Sequence, residues 1–265
     1  MKSLLAFATL LVTVGAQGLT DNCNRLQFTQ CNNYLGQFWR QDTSNAWRQL
    51  TDLDRITQSL FTAPYSVDNF VAACNGYSSF YGCLGQQQIR DCLGTVGFVG
   101  SGLSLNDAYA YQGFLADWGF KCGAGFWTVY ERKTLAACAA NTYVNYQSDT
   151  SAALGTYITS TQQDPTNACN YAQTFMNSWQ KIYQNGPCRT VNPTQAAWYG
   201  CQSAREWSNA QFRHCRHVTT CASPSTIETR TNAETGKLEY LTLPTHKIVD
   251  NHAEILEEAK WVSEQ

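Results

Sequence analysis

The stretch NPTQAAWYGCQSAREWSNAQFRHC, Asn192 to Cys215, decides the fold class. Asn192 offers a helix N-cap, and Pro193 sits at the first helical position, where its missing N–H costs nothing. From there Ala197, Cys201, Ala204, Ser208, Gln211 and Cys215 recur at steps of three or four, the spacing that keeps side chains on one helix face. Upstream the pattern repeats. Asp164-Pro165 opens a segment with Cys169, Ala172, Met176, Trp179 and Tyr183 on one face, and Ser66 caps another bearing Phe70, Cys74, Tyr77, Tyr81 and Leu84. Ser104 and Asp107 resemble a capping box before Ala108, Tyr111, Leu115 and Trp118. Trp47, Leu50, Leu53, Ile56 and Leu60 give one more stripe. Alternation is scarce, and Thr156 to Thr161 is the one strand candidate. Several cysteines lie in these apolar stripes, so disulfides would staple helix to helix. The expected fold is all-α.

Composition narrows the class. Of 265 residues 43% are hydrophobic and only 14% charged, against roughly 25% charged in typical soluble domains. An aromatic content of 13% excludes disorder throughout, since disordered chains are rich in charge and poor in aromatics. A net charge of −2 removes any strong electrostatic drive toward nucleic acid or an anionic membrane. Twelve cysteines, an even number, call for an oxidising compartment.

The N-terminus fits that compartment. Met1-Lys2 is a short positive start, Leu4 to Val14 an apolar run, and Val14-Gly15-Ala16 a small-residue cleavage site. Residues 1–16 therefore read as a secretory signal peptide, too short for a membrane span of about 20 apolar residues. No later segment is apolar enough to span. All the cysteines lie between Cys23 and Cys221, and beyond them the chain turns acidic. The expected organisation is a signal peptide, a cysteine-rich helical domain over 17–221, and an acidic Cys-free tail over 222–265. That tail is expected to be flexible and mostly disordered, with at most a short helix through Ile248, Ala253, Leu256 and Lys260.

The twelve cysteines are Cys23, Cys31, Cys74, Cys83, Cys92, Cys122, Cys138, Cys169, Cys188, Cys201, Cys215 and Cys221. Cys74, Cys83 and Cys92 are spaced at nine-residue steps. On one straight helix such neighbours point roughly 180° apart. Either adjacent members bond to different partner helices, or the helix breaks near Gly85. No C-x-x-C occurs, which removes the thioredoxin-like motif and the commonest zinc spacings. All twelve are expected in structural disulfides, with connectivity open.

The run Cys74-Asn-Gly-Tyr-Ser-Ser-Phe-Tyr-Gly-Cys83-Leu84, then Cys92, Lys121-Cys122-Gly-Ala-Gly-Phe126 and Cys138, resembles the secreted cysteine-rich helical domains expanded in nematodes. These are the domain-of-unknown-function 19 group and the related chondroitin proteoglycan 4 type. The likeness covers about 20–221 and is carried by cysteine order and scattered aromatics. It implies an extracellular, non-catalytic domain and supplies no catalytic residues.

Catalytic chemistry has few candidates. His214 and His217 flank Cys215 and Arg216 at a spacing that could face one metal ion, but the only third ligand nearby is Cys215, expected in a disulfide. No G-x-S-x-G is present. A glycan hydrolase would need two carboxylates flanking the bond, one kept protonated by apolar surroundings. Glu131, beside Trp127 and Tyr130, and Glu206, before Trp207, are the only glutamates ahead of the tail. They are the remote catalytic candidates. The only potential N-glycosylation sequon is barred by Pro193, and Ser101-Gly102 is a weak candidate for glycosaminoglycan attachment.

Sequence thus points to a secreted, non-catalytic, structural or matrix-type protein with no metal and no cofactor. The partners this implies are an extracellular matrix component or a glycan. The alternative is a secreted carbohydrate- or lipid-binding module, which would show one concave aromatic-lined pocket with convergent polar groups.

Overall fold

The structure, a computed structural model, describes residues 22–221 in full and, beyond them, the backbone of 229–231, 238–241, 245–249, 252–257 and 261–263. The expected signal peptide lies outside the described residues. Between residues 22 and 221 the described chain is helical, with ten α-helices and two 3-10 turns. They are α1 Arg25–Trp39, α2 Leu50–Gln58, α3 Val67–Leu93, α4 Thr95–Gly100, α5 Leu105–Lys121, α6 Ala124–Glu131, α7 Lys133–Asn145, α8 Gln147–Gln163, α9 Ala168–Asn185 and α10 Pro193–Gln211. The fold is all-α and disulfide-stapled, as expected.

Helix starts follow local chemistry. Asn24 caps α1, its side chain accepting from the Gln27 amide at 3.1 Å. Ser66 Oγ accepts from the Asp68 amide at the start of α3, and Ser104 Oγ from the Asp107 amide at the start of α5. Asp164 caps the 3-10 turn Pro165–Asn167, which feeds into α9. Its hydrogen bonds from the Thr166 and Asn167 side chains hold its carboxyl below the ordinary value of 3.8.

The described residues fall into two compact units, within Met1–Leu60 plus Val71–Leu115 and within Phe61–Phe70 plus Ala116–Gln265. The residues of the cysteine-rich region, 17–221, contribute to both units. In the first unit Leu35, Trp39, Leu53, Tyr77, Phe80, Phe98 and Tyr111 are buried. Burying such side chains is worth about 1.5–3 kcal/mol each for the aliphatic and Phe members. Two disulfides bind α1 to α3, Cys23–Cys92 and Cys31–Cys83. Between Cys83 and Cys92 the helix breaks at Gly85, with φ 69° and ψ 163°, a conformation glycine alone adopts cheaply. The break re-aims the second half of α3, so both cysteines reach the same partner strand of chain around α1. Gln27 Nε2 donates to the Cys83 and Leu84 carbonyls just before the break, each at 3.2 Å, satisfying groups the interrupted ladder would leave open.

In the second unit α9 and α10 pack along their lengths. Ala172, Met176, Trp179 and Tyr183 are buried on one, Ala197, Cys201, Ala204 and Trp207 on the other. Cys138–Cys188, Cys169–Cys215 and Cys201–Cys221 staple this unit. Cys74 and Cys122 are also disulfide-bonded, and no cysteine is free.

Three local expectations are corrected. Thr156 to Thr161 is part of α8, not a strand. Its threonines fit a helix because Thr156 Oγ1 and Thr161 Oγ1 each donate to the carbonyl four residues back, at 2.9 Å. Trp47 precedes α2 in a turn, and Leu60 follows its end, so that stripe is shorter than the pattern suggested. The tail segment read as a short helix is instead a ladder in which Thr245–Val249 pairs antiparallel with His252–Glu257. Val249 lies opposite His252. A second ladder joins Thr229–Thr231, Leu238–Leu241 and Trp261–Ser263. These described pieces are short, and the remaining residues of the 222–265 tail lie outside the described set.

Candidate functional site: a ring-lined cavity with two arginines

The first unit holds a cavity of about 310 Å³ lined by Phe28, Trp47, Phe98 and Leu103, with Arg25, Arg48, Ser101 and Gly102 also on its wall. Each part is placed by identifiable local structure. The turn carrying Trp47 is pinned by a reciprocal pair, Asn32 Nδ2 donating to the Thr43 carbonyl and Thr43 Oγ1 donating to the Asn32 carbonyl, both at 2.9 Å. Asn32 Oδ1 then accepts from Trp47 Nε1 at 2.8 Å, which fixes the indole's rotation. Phe28 meets Trp47 edge-on at 5.3 Å, and Phe80, Phe98 and Tyr111 lie nearly parallel to it at 5.1, 6.4 and 6.0 Å. Tyr111 is itself tied down, its hydroxyl donating to the Ala46 carbonyl at 3.0 Å.

Opposite lies α4. Gly97 allows it to approach the end of α3, since a Cβ there would stand 2.0 Å from the Asp91 carbonyl oxygen. The close approach exposes the Gly97 carbonyl to Arg25, whose Nη2 donates to it at 2.7 Å. After α4 the chain turns through Gly102 at φ 97°, a left-handed conformation costly for other residues. Cys92 also lines the cavity, so the Cys23–Cys92 bridge forms part of its wall.

The electrostatics are one-sided. Two guanidinium groups stand at the cavity and none of its lining residues is acidic. Arg48 is exposed, and its side chain makes no hydrogen bond or ion pair among the described residues. A more open groove of about 570 Å³ is lined by Tyr34, Gln37, Phe38, Ser79 and Cys83. It carries no charged residue.

Of the residues singled out in the sequence for catalysis, metal binding or modification, Ser101 alone lies at this cavity. Ser101 ends α4 at the cavity's lip, exposed, its hydroxyl donating to the Phe98 carbonyl at 2.6 Å. Glu131 is exposed at the end of α6, next to the exposed Trp127 and Tyr130. Glu206 accepts from Arg216 Nη2 at 3.0 Å. Neither glutamate lines either cavity. His214 stands with Cys169 and Cys215, their ligand atoms within 4.8 Å of one another, but the two sulfurs are joined as a disulfide and offer no thiolate to a metal.

One constellation escaped the sequence reading. In the second unit Asp117 takes Lys121 Nζ on one oxygen at 2.5 Å and the Ser203 hydroxyl on the other. The ammonium lies 5.0, 4.9 and 5.8 Å from the ring centres of Trp118, Tyr143 and Trp179. A serine, a carboxylate and a lysine together suggest nucleophile chemistry, but Ser203 is fully buried, so no substrate reaches its hydroxyl. The cluster is a satisfied polar core. Its parts are spaced 86 residues apart in sequence, and Asp117 and Lys121 read alone as an ordinary one-turn surface pair.

No protein-family model, curated protein or solved structure matches the chain.

Proposed function

We propose that the protein is a non-catalytic, extracellular binding domain whose ligand occupies the cavity between Phe28, Trp47 and Phe98. The cavity itself carries this reading: it is concave, lined by aromatic rings, furnished with a few fixed polar groups and within the size range of small-molecule sites. The disulfides agree with an oxidising, extracytoplasmic setting. A purely structural or matrix role, the first preference from sequence, is favoured by the deep burial of most ring side chains, such as Trp118, Tyr77 and Tyr199. It leaves the cavity without a purpose.

The reading is tested by a thermal-shift screen of the oxidised protein against small organic acids, sugars and fatty acids. A true ligand raises Tm with concentration as mass action requires. Ser101→Trp, at the exposed lip, should abolish the shift while leaving the unliganded Tm unchanged. A panel that produces no shift, or shifts that Ser101→Trp leaves intact, overturns the assignment.

A further inference from the structure

We infer that the cavity of the first unit selects a small ligand made of one flat apolar ring bearing one anionic group, a carboxylate or a sulfonate-type oxyanion. The inference rests on the binding reading above and narrows it to a chemical class.

The aromatic wall defines one end of the ligand. Trp47 is held by the Asn32 hydrogen bond and by flanking rings, so the wall is rigid before anything binds. A rigid apolar wall favours a flat apolar partner, because little ordering remains to be done on binding. The two arginines define the other end. Arg25 is anchored through the Gly97 carbonyl, which fixes its position at the cavity. Arg48 is exposed and has no partner among the described residues, so an arriving oxyanion displaces only water from it. Guanidinium presents a planar fork of donors suited to two oxygens at once. With no carboxylate in the lining, a cationic or zwitterionic ligand finds no counter-charge here.

The matched probes are 4-toluenesulfonate and 4-toluenesulfonamide, which share ring and shape but differ in charge at neutral pH. Binding is followed by NMR titration of the Trp47 indole N–H in the oxidised full chain, at low and at raised salt. The sulfonate should bind about tenfold or more tighter than the sulfonamide, in line with the strength of a charge-assisted hydrogen bond. Arg48→Gln should remove most of that advantage, bringing the sulfonate's affinity down toward the sulfonamide's. Because Arg48 is exposed, the variant should fold as the parent does, which the dispersion of the same spectrum checks. Equal affinity for both probes, or an Arg48→Gln variant that keeps the preference, overturns the anion inference while leaving the cavity a binding site. Binding of neither probe overturns the inference together with the reading it rests on.

Discussion

Asp117 and Lys121, one turn apart on α5, form an ion pair of 2.5 Å in which both residues are 3% exposed. Two charges that deep survive only because every strong demand is met: the carboxylate takes the ammonium and the Ser203 hydroxyl, and the ammonium also faces three aromatic rings. Removing one partner leaves the other charge buried and uncompensated. Asp117→Leu or Lys121→Met alone should therefore cost about 3–5 kcal/mol, and the double variant should recover much of that loss. Chemical denaturation of the four species checks this. Additive losses would mean the two groups do not depend on each other.

Buried phenols give the protein an alkaline limit. Tyr111, Tyr157 and Tyr199 are nearly inaccessible, and burial raises each phenol above its ordinary value of 10.0. A group whose folded pKa lies above its unfolded one contributes stability in full below the unfolded value, and that contribution is lost as pH rises past it. The three should stay protonated in the folded state at pH values above 10.0, and should ionise only as the helical fold is lost. Simultaneous phenolate absorbance and circular dichroism would show this. Full titration of all fourteen tyrosines with helicity intact would contradict it.

Tyr157 offers a gentler test of the same core. Its ring stacks on Phe175 at 5.1 Å and meets Trp207 edge-on at 6.0 Å, while its hydroxyl has no hydrogen-bond partner. A buried hydroxyl without a partner is a cost, so Tyr157→Phe should be neutral or stabilising by about 1 kcal/mol. A loss of stability would reveal a partner for that oxygen.

The Cys23–Cys92 bridge both staples α1 to α3 and walls the cavity. Replacing both cysteines by serine should cost about 2–5 kcal/mol. It should also weaken cavity ligands, because Arg25 lies two residues beyond Cys23. Unchanged ligand affinity in a destabilised variant would separate the bridge from the site.

How much of this was legible in the sequence follows from the range of the interactions. The faces of α3, α5, α9 and α10 were readable because a buried helix face repeats its apolar residues at a period close to 3.6. The break at Gly85 was one of two readings forced by nine-residue cysteine spacing. Thr156 to Thr161 misled because hydroxyl-to-carbonyl bonds within a helix leave no trace in an alternation pattern. Trp47 read as helical because it stands three residues before Leu50, whereas the Asn32–Thr43 contacts hold it in a turn. The cavity was not readable at all. Arg25 and Phe28 on α1, Trp47 and Arg48 in the turn before α2, and Phe98 on α4 come from three separate segments, and only tertiary packing brings them together. Of the residues chosen for chemistry, Ser101 alone touches it.

The ring-lined cavity should be where the protein binds its ligand. The most direct measurement is a chemical-shift map of the oxidised protein titrated with ring-bearing small organic acids. Saturable shifts are expected at the Trp47 indole N–H and the amides of Phe98, Ser101, Gly102 and Leu103. Saturable shifts clustered away from those residues, or none anywhere, would contradict it.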